Sequence, residues 1–137
     1  MKTSERGLEL LTLREGFKTF AYKDVKGIWT IGVGHTGPEV VEGLQWSTSQ
    51  VRDALVKDVE TAEKTINAGV KVNLSQNQFD ALVSFIFNVG VGAFTRSTLL
   101  KVLNQGNYTE AAQQFDRWVI PVQITSRRMS EKAQFRS

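Results

Sequence analysis

Glu15, Asp24 and Thr30 stand with eight and then five residues between them, a spacing short enough for one small substructure to bring two carboxyl groups and a hydroxyl together. Such a set suits cleavage of an acetal. One carboxylic acid protonates the leaving oxygen, while a second carboxylate directs water or stabilises positive charge on the sugar ring. A hydroxyl beside the second carboxylate can hold the water. Taken alone, the spacing is better read as a solvated helix end and an ordinary turn residue, the commoner situation for two carboxylates. The 137 residues include no cysteine and a single histidine, His35. Thiol nucleophiles, iron–sulfur clusters, cysteine zinc sites and multi-histidine metal sites within one chain are thereby excluded. Carboxylates are left as the obvious catalysts, and no metal or cofactor is expected.

Three local elements must position this set. Residues 4–15 read as a helix with Ser4 as N-cap, Leu8 and Leu11 on one face and Gly16 placed to end it. Glu15 then occupies the last turn, where the carbonyl end of the helix dipole repels a carboxylate, so the position suggests a task rather than a contribution to stability. Phe20-Ala21-Tyr22 and Ile28-Trp29-Thr30-Ile31-Gly32-Val33-Gly34 read as two strands joined through Asp24-Val25-Lys26-Gly27. Strict alternation along the second strand puts Trp29, Ile31 and Val33 on a core face and Thr30, Gly32 and Gly34 on the other. That second face is almost bare, and a bare strand face lets a ligand such as a sugar ring approach the backbone.

From Ser47 the pattern turns helical. A capping box, Ser47-Thr48-Ser49-Gln50, opens one long helix carrying Val51, Leu55, Val59, Ala62 and Ile66 in one stripe, ended by Gly69. A second capping box, Ser75-Gln76-Asn77-Gln78, opens a helix whose apolar residues cover most of its circumference, the pattern of a central buried helix ended by Gly90 and Gly92. Shorter helices are expected from Ser97 to Gln105, from Thr109 to Trp118 and from Ser126 to Phe135. The expected architecture is α+β and a single domain spanning residues 1–137. Its lobes are residues 1–46, a helix plus a small antiparallel sheet, and residues 47–137, mainly helical, with the long helix after Ser47 connecting them.

Residues 1–70 carry 9 basic and 10 acidic side chains, whereas residues 71–137 carry 8 and 4. The basic half could attract nucleic acid, an anionic membrane surface or an anionic polysaccharide. A nucleic-acid partner is not expected, because the basic C-terminal helix lacks a basic run interleaved with aromatics. No apolar run approaches the roughly 18 residues of a membrane span, so no stable membrane insertion is expected. The stretch from Leu8 to Leu13, broken by Glu9 and Thr12, is not a secretory signal, and a cytoplasmic, soluble protein is anticipated. Gly32-Val33-Gly34-His35-Thr36-Gly37 satisfies a dinucleotide glycine fingerprint only formally, since Pro38 and Gly43 stand where its helix should run.

The wider string closely resembles the phage-type lysozymes, glycoside hydrolase family 24. The likeness is carried by Arg14-Glu15-Gly16-Phe17, Ala21-Tyr22-Lys23-Asp24 and Trp29-Thr30-Ile31-Gly32-Val33-Gly34-His35-Thr36, with the Glu, Asp and Thr at that family's spacing. It continues through Phe85-Ile86-Phe87-Asn88-Val89-Gly90, Gly92-Ala93-Phe94-Thr95-Arg96-Ser97, Phe115-Asp116-Arg117-Trp118 and Arg127-Arg128-Met129-Ser130-Glu131. The resemblance implies a two-lobed lysozyme-like fold and an endolysin muramidase that hydrolyses the β-1,4 bond between N-acetylmuramic acid and N-acetylglucosamine in peptidoglycan. A lytic transglycosylase and a non-catalytic peptidoglycan-binding module are the alternatives.

By that resemblance Glu15 is the general acid, Asp24 directs the attacking water with inversion, and Thr30 helps bind it. Arg127, of the C-terminal arginine pair, is the match for an arginine that contacts the catalytic glutamate. Asn88 is a sugar-binding candidate, with helix capping as the equal alternative. Phe87 and Ser97 match substrate-contacting positions, against core packing for Phe87 and N-capping for Ser97. Gly34 and His35, at the strand end, are also counted among the substrate-binding candidates, with a structural pairing to a carboxylate the favoured role for His35. Nothing in the sequence requires more than a monomer, and the resemblance, with the missing export signal, further implies a protein held in the host cytoplasm until a holin permeabilises the membrane.

Overall fold

The computed structural model describes all 137 residues, which form eight helices, two short 3-10 turns and a two-stranded antiparallel sheet. The backbone groups into two compact units, Leu8–Glu60 and a second made of Met1–Gly7 with Thr61–Ser137. Helix α1 covers Glu5–Glu15, strands β1 and β2 cover Lys18–Lys23 and Trp29–Gly32, and helix α2 covers Thr48–Asp58.

In the unit Leu8–Glu60 the strands pair Tyr22 with Thr30 and Lys23 with Trp29, then slip in register before Lys18 meets Gly32. A third segment lies along the other edge of β1, where Ala21 N–H donates to Leu44 O at 2.9 Å and Trp46 N–H to Thr19 O at 2.8 Å. Ile31, Val33, Val40, Val51 and Leu55 are buried here. Each such side chain contributes roughly 1.5–3 kcal/mol on burial. The expected capping box at Ser47 is present: Gln50 N–H donates to Ser47 Oγ at 3.1 Å and Ser47 N–H to Gln50 Oε1 at 2.8 Å.

The bare strand face expected on β2 is corrected by this packing. The strand ends at Gly32, whose φ is +66°, and Ile31 pairs back with His35 across a tight turn. A Cβ on Gly32 would lie 3.2 Å from the Trp46 ring, so the space that glycine leaves is filled by the protein's own indole. Thr30 is buried, while Trp29, expected in the core, is only half-buried. Of the three residues on that face, Gly34 alone is exposed, with nothing within 4 Å of its Cβ position.

The long helix expected after Ser47 is two helices, α2 and α3 (Glu60–Gly69), interrupted at Val59. Val59 keeps its N–H on Leu55 O but turns to ψ −11°, a local tightening that leaves its side chain buried in the stripe.

In the other unit, helix α4 (Gln76–Val89) is the centre, with every residue from Phe79 to Ile86 buried. Its capping box at Ser75 and Gln78 is formed as the sequence predicts. The Phe85 ring meets Phe94, Phe115 and Trp118 edge-on at centroid distances of 6.4, 5.3 and 5.4 Å. Around it run α5 (Val91–Thr95), α6 (Thr98–Asn104), α7 (Tyr108–Gln114) and α8 (Thr125–Arg136). Helix α5 follows Gly90 directly, where the sequence suggested only a stop, and the helix expected to reach Trp118 ends at Gln114 in a 3-10 turn. Asp80, 2% exposed, is met by the N-terminal segment: Ser4 donates to it through N–H and Oγ, and Gln76 Nε2 at 2.8 Å. A Cβ on Gly7 would fall 2.6 Å from the Asp80 carboxyl carbon, so glycine is what allows this approach.

Candidate active site

Glu15 is the last residue of α1 and is exposed, as the chain stops its helix at Gly16 (φ +73°) with Gly16 N–H on Thr12 O at 2.7 Å. Asp24 begins the turn between the strands. Its Oδ1 accepts from Lys26 N–H at 2.8 Å and Ile28 N–H at 2.9 Å, which fixes the carboxylate and leaves Oδ2 without a protein donor. Thr30 Oγ1 donates to Ile28 O at 2.9 Å. Ile28 thus ties the two side chains together, its N–H on Asp24 and its C=O on Thr30. With the Thr30 proton committed to Ile28 O, what its oxygen offers a ligand is a lone pair. Glu15, Asp24 and Thr30 belong to the same compact unit.

These elements agree with a wider likeness. The family described as phage lysozyme matches residues 12–131 of the chain. The endolysin of Salmonella phage P22 is 41% identical over 145 residues, covering 100% of this chain and 99% of that protein. The chain belongs to the phage lysozyme family. Against the endolysin of Bacillus phage PZA it is 40% identical over 144 residues, yet it spans only 56% of that protein's length. A crystal structure of a P22 lysozyme point mutant superposes with a TM-score of 0.95 at 40% identity, covering 100% of this chain and 99% of that one. The muramidase domain of SpmX from Asticaccaulis excentricus gives 0.92 at 37%, covering 99% and 98%. The α+β architecture with its small antiparallel sheet is therefore the lysozyme fold.

Each of the remaining candidate residues has its own surroundings. His35 is bound on both nitrogens, Nδ1 to Asp58 Oδ2 and Nε2 to Glu39 Oε1, each at 2.7 Å, and its ring lies 5.3 Å from that of Trp46. Burial alone would lower its pKa, but the hydrogen bonds and charges of Glu39 and Asp58 outweigh that and raise it above the ordinary 6.5. Through the same hydrogen bond, His35 holds Glu39 below its usual range. Both ring nitrogens are therefore committed within the protein.

Ser97 is the N-cap of α6: its Oγ accepts from Leu100 N–H at 3.1 Å and donates to Phe94 O at 2.7 Å. It also lines a hollow of about 360 Å³ with Arg96, Gln114, Arg117 and Trp118. Phe87 is half-buried. Asn88 is exposed and does not cap α4, since Gly90 N–H closes that helix on Ile86 O at 2.8 Å; its Oδ1 instead accepts from Arg128 Nη2.

Arg127 donates from Nη2 to Ser84 O at 2.9 Å and from Nε to Glu131 Oε2 at 3.1 Å. Glu131, fully buried, also accepts from Arg128 Nη1 and from Ser84 Oγ at 2.5 Å. Burial draws the Arg128 guanidinium below the ordinary arginine range, and Glu131 acts against that shift. Arg128 and Glu131 stand in the run that carries the resemblance, but sequence reasoning gave them no role. Their signal was present as an arginine and a glutamate three apart on one helix face, but it reads equally as a solvated ion pair.

Proposed function

We propose that this chain is an endolysin muramidase that hydrolyses the β-1,4 bond between N-acetylmuramic acid and N-acetylglucosamine in bacterial peptidoglycan, with inversion. The observation that carries the chemistry is the Asp24–Ile28–Thr30 arrangement. It offers two acceptors, Asp24 Oδ2 and Thr30 Oγ1, and one water molecule has two hydrogens to give them. Held so, the water directs its lone pair at the anomeric carbon. Asp24 takes one water proton as the new C–O bond forms. Glu15 gives its proton to the glycosidic oxygen as the old bond breaks, and the sum is addition of one water. Glu15 is exposed in the free protein, so a sugar bound over it removes the water that solvates the carboxylate. Family membership supports the same reading, and relatives carry the names endolysin and, for the SpmX neighbour, muramidase domain.

Digestion of purified cell wall followed by mass spectrometry tests it. Hydrolysis adds one water per cut, a transglycosylase adds none and leaves an anhydro sugar, and a binding module releases nothing. Proton NMR of fresh product, read before mutarotation, should show the α-anomer first; a β-anomer first would make Asp24 a nucleophile in a double displacement. Glu15→Gln should cut the clearing of cell walls by about 10²–10⁴, the span general acid catalysis supplies. Retained clearing would remove Glu15 from its role.

The biological setting belongs to the same proposal. No helix is long and apolar enough to cross a membrane. The enzyme acts as a monomer that stays in the host cytoplasm until a holin opens the way to the wall. Expression alone should leave cells intact, and a membrane permeabiliser should then lyse them abruptly. Lysis without permeabiliser would point to another route.

A further inference from the structure

Thr30 has Tyr22 as its cross-strand partner, so the two side chains share one face of the sheet. Lys18 lies on that face as well, its Nζ 5.6 Å from the centroid of the Tyr22 ring and 5.8 Å from that of Phe20. A row therefore leads away from Thr30 along β1: half-buried Tyr22, then Phe20, 53% exposed and about 7 Å further on by strand geometry, with the exposed Lys18 ammonium shared by both rings. The next pair in register, Lys23 and Trp29, meets on the opposite face. The strand that carries the row is tied along both edges, to β2 and to residues 44–46. All of these residues lie in the unit Leu8–Glu60, together with Glu15 and Asp24. A single exposed aromatic side chain is ordinary. Here two stand in line beside Thr30, and the ammonium they share pairs with no carboxylate of the protein. The unit carries eight acidic side chains against six basic, yet between Gly16 and Pro38 the only acid is Asp24, with Lys18, Lys23 and Lys26 around it in the chain.

We infer that this row is a strip that binds the glycan beside the cut, with Phe20 and Tyr22 stacked against sugar rings and Lys18 meeting a carboxylate of the attached peptide. This rests on the muramidase reading above and extends that site along β1. A bond cut inside a polymer has sugars on both sides, so the strand must cover protein surface next to Thr30. The β1 face adjoins Thr30 in the sheet and offers the apolar ring faces that suit the C–H side of a pyranose. The ammonium does not bar that approach, because an exposed cation–π contact is weak and Lys18 can swing off the rings. Its charge, which no carboxylate of the protein meets, is then available to an acid group that hangs from the sugar.

The test uses KM and kcat of the full chain on solubilised peptidoglycan strands, once with their peptides and once with the peptides removed. Phe20→Ala should raise KM about 3- to 10-fold on both substrates while kcat changes by less than about twofold, the scale of one aromatic stack. Phe20→Trp, which keeps a ring face, should bring KM back to within about twofold of wild type. Lys18→Gln should raise KM about 2- to 5-fold at low salt on strands that keep their peptides, and the rise should vanish at high salt and on strands without peptides. Both positions are exposed, so the variants should fold as wild type does, which thermal unfolding checks. Wild-type KM in Phe20→Ala, or a rise that Phe20→Trp does not reverse, overturns the inference and leaves the muramidase reading standing. An equal effect of Lys18→Gln on the two substrates overturns the carboxylate contact. Loss of binding to phosphatidylglycerol vesicles in Phe20→Ala with KM unmoved would assign the row to a membrane surface and overturn the inference too. If the wild-type chain cleaves neither substrate, the muramidase reading falls and the strip falls with it.

Discussion

Glu131→Gln offers a sharp test of the packing around α8, because it removes one charge while nearly conserving shape. Glu131 pairs with both Arg127 and Arg128 and is the carboxylate on which the Arg128 guanidinium rests, and the three are 0%, 9% and 1% exposed. The amide retains one acceptor oxygen, so it can serve one of its three donors well; the others face an N–H group or nothing. Removing one partner of a buried ion pair costs about 3–5 kcal/mol, because the remaining charge is left uncompensated. At about 2.1 cal/mol/K per residue, a chain of 137 residues unfolds with an entropy of about 0.29 kcal/mol/K, so the melting point should fall by about 10–17 °C. Thermal unfolding followed by circular dichroism at neutral pH reads this directly. Replacing all three residues by apolar side chains of similar size should recover most of the loss, since the desolvation penalty goes with the charges. A fall of less than about 3 °C for Glu131→Gln, equivalent to about 1 kcal/mol, would refute the reasoning, for it would mean that water or another group already compensates Arg128.

The other consequences concern smaller groups. His35 has a folded pKa above its ordinary 6.5, so its contribution is complete below that value and is lost as pH rises through the folded pKa. Glu39 is depressed from 4.5, so its contribution is present above that value and is lost as pH falls. The melting-point difference between wild type and His35→Asn should therefore peak between these values and shrink at alkaline pH, and a difference flat from acid to alkaline pH would contradict the pairing. Thr30→Val keeps volume but removes the water acceptor and one of the two hydrogen bonds on Ile28 O, which still accepts from Asp24 N–H. Wall-clearing activity should fall by about tenfold or more, with about 0.5–1.5 kcal/mol lost in denaturant unfolding, and Thr30→Ser should restore part of both. Gly7→Ala should destabilise the protein, although alanine in a helix interior ordinarily gains about 1 kcal/mol over glycine, because the new methyl would sit 2.6–2.9 Å from Asp80 side-chain atoms. A rise in melting point for Gly7→Ala would show that Asp80 moves aside without loss.

What could be read from the chain and what could not divides by the range of the interaction. The end of α1 at Glu15, both capping boxes and the Asp24 turn were legible because each is settled by residues within four positions of one another. Val59 fits the apolar stripe that predicts one long helix, so nothing in its type announces the break between α2 and α3. The Arg128 network was illegible for another reason: Ser84, Asn88, Trp118 and Glu131 come from three places in the chain, and a local pattern cannot say which arginine is sealed. Glycines show the boundary most clearly. Gly32 and Gly34 are alike in type, in positive φ and in the strand pattern, and both signalled an open approach to the backbone. At Gly32 the Trp46 ring, from a segment with no strand pattern of its own, had already taken the space, whereas at Gly34 nothing had. A glycine in the sequence marks where the backbone is bare; which group comes to rest there is decided by tertiary packing. For this chain the same distinction separates Asp24, whose carboxylate is set by its own turn, from Asn88, whose amide is held by an arginine 40 residues away.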